Sequence, residues 1–415
     1  MAALAALLLL PWAIVAWRPW TGATPEPPVM GNPSAAPLGH GVVGLPGPWG
    51  QLETVRINTE PPEDFAINYL RHDSSRWVFQ GFPRERVSAL FRSAGLGDDD
   101  QAELLRTASV DMSDETWVFH PSEKLLLSLS PKARAAIYLA LSREFTPSGK
   151  PLNLAQQEPF RWRADDIDGW FEDGGVADGT VQFIRRLLYY RGRTVMFSDV
   201  SLVLPRLAEP AERLRLLKTL SRQSTLMVKL RIRPDTDVDA LVDYWGRGVR
   251  SKDIRPLLDS LKQAHSDFLI DIVHLLPRFA RKRLYNYPSL AKDVADPAYD
   301  CHWSSMNFWN DPPDDRFGQD LQYVQQVIDR DYCRVNGDYM FGDVLLYFIG
   351  GDQAIHSAVY IAADIVFTKN GPSLSSPWIF MDLARMQAYY ETYADLEVRA
   401  YRRKDLGVST KPAPV

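Results

Sequence analysis

Two apolar, β-branched and aromatic runs constrain this chain more than any other stretch: Val344-Leu-Leu-Tyr-Phe after Gly342-Asp343, and His356-Ser-Ala-Val-Tyr-Ile a few residues on. Such runs, set off by turn residues, read as strands, and two in succession read as a hairpin. Upstream, Tyr299-Asp-Cys-His-Trp-Ser-Ser-Met-Asn-Phe-Trp opens a helix, and downstream Thr368-Lys-Asn-Gly closes a third run. The stretch 299–371 is the one place where a cysteine, a histidine and a third polar group fall in an order that chemistry can use.

Cys301 sits at the start of the helical stretch, where the partial positive charge of a helix terminus favours thiolate over thiol. His356 begins a strand and so rides on a rigid scaffold as a general base. Each residue has a plainer reading: a buried small apolar cysteine, and a hydrogen-bonded core or surface histidine. Cys301 also has a possible disulfide partner in Cys333, the second of the chain's two cysteines, just past the helix expected over 320–331.

The order Asp-Cys at a helix start, Gly-Asp before an apolar run, then His-x-x-aliphatic-Tyr-aliphatic resembles the NlpC/P60 family of papain-like cysteine peptidases and amidases. The resemblance covers about residues 285–400. It implies a helix bearing the cysteine packed on an antiparallel sheet, with Cys301 as nucleophile and His356 as base. It also implies an amide bond of bacterial cell-wall peptide stems as substrate, and no cofactor or metal. Cys301 is followed here by His302 and Trp303 where the family commonly has Ser-Gly, a departure that bears on specificity. The family's third group comes from the strand after the histidine, about a dozen residues on, at Thr368. Strand alternation puts Thr368 and Asn370 on one face. Of the two, Asn370 is the expected orienting residue, because its carbonyl oxygen reaches further; the plain alternative is an Asn-Gly turn. His302 is expected not to be the base, since a neighbour on a helix projects about 100° away. The backbone N–H of Cys301 is the expected oxyanion donor.

The remaining chain is organised around this domain. At 415 residues it is long enough for two or three domains. Residues 1–17 are almost wholly apolar and 24–50 are rich in proline and glycine. They read as a signal peptide or membrane anchor (1–20) followed by an extended linker (21–50). A membrane tether through the N-terminus and an exported, cell-envelope location follow. Residues 51–284 read as a mostly helical α+β region, and 285–408 as the hydrolase domain, so the fold class is α+β.

Within 51–284, Ser130-Pro131 caps a helix and Pro210 opens another; 225–233 alternates like a half-buried strand, and a helix ends at Trp245-Gly246. The acidic cluster Asp165, Asp166, Asp168, Glu172, Asp173 has its glycine at the wrong offset for a calcium loop and reads as solvated loop. His265 and His274, nine residues apart, face opposite ways on a helix. Tyr285, Tyr287 and Tyr299 read as packed aromatics, and 380–390 as a helix. A net charge of −5 offers no broad attraction to nucleic acid. The expected function is a cell-envelope cysteine hydrolase; the alternatives are an acyltransferase of related architecture and a non-catalytic envelope-binding scaffold.

Overall fold

The computed structural model describes residues 39, 41–63, 76–111, 115–144, 152–157, 159–172, 174–288, 299–371, 373, 375–390 and 395–406. The expected leader over 1–20 and most of the expected linker lie outside them. The chain is mixed helix and antiparallel sheet, an α+β protein in two compact units.

The site-bearing unit comprises Pro28–Phe65 and Arg222–Val415. Its first sheet runs in chain order: β1 (Gly41–Val43), β2 (Gln51–Thr59), β3 (Gln223–Ile232) and β4 (Phe268–Asp271). The alternation in β3 buries Leu226, Val228, Leu230 and Ile232, as a strand with one face on a core requires. Between β3 and β4 lie α1 (Val238–Gly246) and α2 (Ser251–Gln263). The Asp237 carboxylate caps α1 by accepting from the Ala240 N–H at 3.0 Å.

Then come α3 (Arg278–Arg283), α4 (Cys301–Met306) and α5 (Leu321–Asp331). The second sheet is formed by β5 (Tyr332–Val335), β6 (Val344–Ile349), β7 (Gln353–Ala362), β8 (Ile365–Lys369), β9 (Trp378–Asp382) and β10 (Glu397–Arg403), in the order β5-β10-β6-β7-β8-β9, with α6 (Leu383–Tyr390) before β10. Two residues, Ala363 and Asp364, both with positive φ, make the tight β7–β8 turn.

One apolar cluster runs from Leu52, Val228 and Leu230 to Val344, Val359 and Phe367, so both sheets share a core. Thr225 ties them: its hydroxyl donates to the Phe380 carbonyl and accepts from the Phe380 N–H, each at 3.0 Å.

The boundary expected at 284/285 therefore moves to 221/222, where the chain passes from a helix cap at Ser221 straight into β3 without a proline or glycine linker. Residues 41–50, expected as linker, instead pair with β2 and fold into a turn closed by Gly47 and Gly50. Residues 380–390 are the end of a strand followed by a helix, not a helix throughout. Among the described residues, no helix is long and apolar enough to cross a membrane.

The described part of the other unit, 76–221, holds two three-stranded antiparallel sheets, centred on Thr116–Phe119 and Thr194–Phe197, with helices around its own core. The helix Pro131–Leu141 starts as expected, with the Ser130 hydroxyl accepting from the Ala133 N–H at 3.1 Å. Asp173 lies outside the described residues, and the described part of the acidic stretch is not a loop. It forms Ala164–Asp166 and the helix Ile167–Glu172, because Ile167, Trp170 and Phe171 turn inward.

This core encloses an ion pair, Arg134 Nε to Asp199 Oδ2 at 3.1 Å, with Arg134 wholly buried and the Tyr138 hydroxyl also on Asp199. Removing one partner leaves the other charge buried alone. Asp199→Ala is accordingly expected to destabilise this unit by about 3–5 kcal/mol in urea unfolding. A loss below about 1 kcal/mol would mean the pair is not holding the core.

Candidate active site

Helix α4 is short and closed in. Its cap is the Asp300 carboxylate, which accepts from the Trp303 N–H at 2.8 Å, while the Asp300 carbonyl accepts from the Ser304 hydroxyl at 2.6 Å. All six residues of the helix are buried. Trp303 packs on Tyr299 (4.4 Å between ring centres) and Phe279 (5.1 Å), and its indole N–H donates to Asp315 at 3.1 Å. The Trp378 indole donates to the Ser304 hydroxyl at 2.8 Å, which fastens the helix to β9. These contacts fix the rotation of α4 and with it the position of Cys301.

His356 lies opposite Tyr347 in β7, immediately after a bulge at Ile355: the register steps from Tyr347↔His356 to Phe348↔Ala354. Bulges locally twist a strand and re-aim the neighbouring side chain. The wholly buried imidazole stacks on Tyr390 (4.5 Å, 23°) and meets Tyr347 edge-on (5.6 Å). Its Nε2 is 3.0 Å from the Thr368 hydroxyl, which donates in turn to Asn370 Oδ1 at 3.5 Å. A chain Nε2–H to Thr368 Oγ1–H to Asn370 Oδ1 places the proton on Nε2 and leaves Nδ1 as the basic atom. Among the described residues that Nδ1 is buried without a hydrogen-bond partner.

Thr368, rather than Asn370, thus makes the direct contact. Thr368 is on β8, whereas the chain leaves the sheet at Asn370 and turns at Gly371 with φ of 91°. Strand parity admits both residues, and only the exit from the sheet separates them.

Burial by itself pushes the Cys301 thiol up, yet the charges of His302 and then His356 favour its thiolate and hold it well below the ordinary thiol value. His302 answers: burial pulls its imidazole down, but the Cys301 thiolate, by charge and hydrogen bond, and the Asp300 carboxylate raise it to about 9. Asp300 is pushed up to about 6 by burial and by the Cys301 charge, against the pull of His302, the Trp303 N–H and Lys369.

His302 is the residue that sequence reasoning set aside. On an exposed helix it would project away from Cys301; on a wholly buried one it has no solvent to reach, and the thiolate is the available anion. Its Nδ1 is likewise buried without a partner among the described residues. The triplet Asp300-Cys301-His302 was the available sign, alternating charge with thiol at a helix start.

The other expectations resolve simply. Cys301 and Cys333 are both free, so the alternative of a disulfide is excluded; Cys333 is exposed on β5. The Tyr285 hydroxyl donates to the Leu226 carbonyl at 2.8 Å, and Tyr287 lies 3.3 Å from the Thr59 hydroxyl, both in packing roles.

Comparison with protein-family models, with characterised proteins and with solved structures finds no match. Any assignment therefore rests on the geometry of the site.

The two shifts bound a pH window. The stabilisation from His302, whose folded value is raised above the ordinary imidazole range of about 6.5, is fully present below that value and is lost as pH rises through about 9. That from Cys301, whose value is depressed, is present above the ordinary thiol range and is lost as pH falls through the depressed value. Both shifts favour the thiolate–imidazolium pair over the neutral thiol and imidazole. With Cys333→Ser removing the exposed thiol, iodoacetamide should alkylate Cys301 at a rate that falls much less steeply below about pH 8 than the roughly tenfold per unit of an ordinary thiol. His302→Gln should restore that slope. An ordinary thiol profile in the parent would show that the pair does not form.

Proposed function

We propose that this protein is a cysteine hydrolase that cleaves an amide bond through an acyl-enzyme thioester. The observation that carries the proposal is Cys301, buried at the capped head of α4 with His302 next to it, in the same unit as a buried His356 held at Nε2 by Thr368; the two histidines favour its thiolate. The helix-on-antiparallel-sheet arrangement around it supports a papain-like domain of NlpC/P60 type.

In this reading the Cys301 thiolate attacks the substrate carbonyl carbon and the developing oxyanion takes the Cys301 backbone N–H. An imidazolium gives its proton to the leaving amine as the C–N bond breaks, which leaves a thioester and a neutral imidazole. Water then attacks the thioester carbonyl, the imidazole takes its proton, and the carboxylic acid leaves with the thiolate restored. His356 is the base, oriented by Thr368 and more distantly by Asn370. The proposed substrate is a peptide stem of the bacterial cell wall. The proposed location is the cell envelope, suggested by the apolar run 1–17.

Cys301→Ala should abolish amine release from cell-wall fragments, measured by mass spectrometry, while Cys333→Ala leaves it intact. Equal losses would remove Cys301 from the chemistry, and a product carrying a new acyl acceptor in place of water would make the enzyme a transferase. Thr368→Val is expected to lower kcat by about ten- to a hundredfold and Asn370→Ala by less, as for direct and indirect orienting groups. The opposite ranking would return the orienting role to Asn370.

Export is checked separately by fusing residues 1–50 to a reporter active only outside the cytoplasm; a silent fusion would sink that part of the reading.

A further inference from the structure

Arg247 carries a buried charge that the site above does not use. It ends α1 with φ of 49°, and the residue is 2% exposed. Nη1 donates to the Met340 sulfur at 3.4 Å, a weak acceptor. Nε and Nη2 are buried with no hydrogen-bond partner among the described residues.

The carboxylate nearest in influence, Asp343, is already taken. Arg402 grips it with Nε on Oδ1 at 2.8 Å and Nη2 on Oδ2 at 2.7 Å, and the Met340 N–H donates to the same Oδ2 at 2.8 Å. Two guanidinium groups thus share one carboxylate, which leaves one positive charge in excess. Burial, and after it the charge of Arg402, both work against the Arg247 cation.

Arg247 follows Tyr244 and Trp245, whose rings join those of Trp49, Phe341 and Trp309 at centre distances of 5.1 to 6.3 Å. Trp49 Nε1 and Trp309 Nε1 are also buried without partners among the described residues. Unpaired buried donors are costly, and the unpaired guanidinium edge, with two unpaired indole N–H groups in the same aromatic cluster that Tyr244 and Trp245 join, points to an acceptor from outside the chain.

We propose that Arg247 is a binding site for a monoanionic carboxylate carried on an apolar body. Nε and Nη2 form the edge of the guanidinium that takes a carboxylate in two parallel bonds, and Arg402 uses the same edge on Asp343. A single negative charge balances the single excess positive charge, whereas a phosphate dianion overshoots it. The aromatic cluster that Tyr244 and Trp245 join, next to Arg247 in the chain, suits an apolar body. The ligand is either an aromatic acid or the C-terminus of a peptide, which share this chemistry.

The test is calorimetric titration of the full-length protein with benzoate, N-acetylalanine and inorganic phosphate, repeated on Arg247→Met, Trp309→Phe and Cys301→Ala. The expected result is saturable one-to-one binding of a carboxylate, lost in Arg247→Met, weakened roughly three- to tenfold in Trp309→Phe, which keeps a ring but loses one donor, and retained in Cys301→Ala. Binding of benzoate alone assigns an aromatic acid; binding of N-acetylalanine assigns a peptide end. Arg247→Met without ligand should unfold at a temperature equal to or above that of the parent, because an unpaired charge has been replaced by an apolar chain. Lower stability of that variant, preference for phosphate, binding indifferent to Arg247, or no binding at all would each overturn the proposal. Retention in Cys301→Ala keeps the result independent of the hydrolase reading.

Discussion

A thiolate can be buried only beside a buried cation, and the site-bearing unit is arranged to provide one. Cys301 lies at the head of a helix with no exposed residue, so a charge on its thiol has to be met by protein groups, and the neighbouring His302 and then His356 favour that charge. The coupling is mutual: the thiolate that the histidines stabilise is what lifts His302 to about 9. Asp300, one residue before, caps the helix and adds negative charge to the same cluster. Loosening the packing of α4 would admit water and weaken these effects together, because each depends on low local polarity.

Rigidity comes from the sheet. Trp303 and Ser304 fix α4 from either side through Asp315 and Trp378, and β9, which carries Trp378, is held to the first sheet through Thr225 and Phe380. The bulge at Ile355 sets His356 against Tyr390, whose stacked ring restricts imidazole rotation while Thr368 fixes the tautomer. Positioning of this kind, on strands and a packed helix rather than on loops, holds reacting groups to within fractions of an ångström.

Arg247 presents the converse case. A buried guanidinium whose carboxylate neighbour is already committed to Arg402 is a cost that core packing alone does not offset. The two buried charge systems differ in completeness: around Cys301 every charge has an opposite within the chain, and around Arg247 one does not.

Local rules were legible in the amino-acid sequence. Capping and proline placement located the helices at Pro131–Leu141, Val238–Gly246 and Leu321–Asp331, and period-two alternation located β3. The helix start at Cys301 and the hairpin bearing His356 were legible for the same reason: each depends on a few adjacent residues. The unit boundary was not, because Ser221 passes directly into β3 and only the shared core shows on which side of it β3 belongs. The helix over the acidic stretch was hidden by its charges, since Ile167, Trp170 and Phe171 are buried by packing outside the helix, Trp162 on both rings and the Thr219 carbonyl on the Trp170 indole among it. The choice of Thr368 over Asn370 turned on where β8 leaves the sheet, and the part played by His302 on the burial of α4 from all sides. Sequence by itself determined which groups could react and on which elements they ride, because those follow from neighbours along the chain. Tertiary structure decided which of them meet and how each is charged, because contact and dielectric are set by residues brought together from far apart.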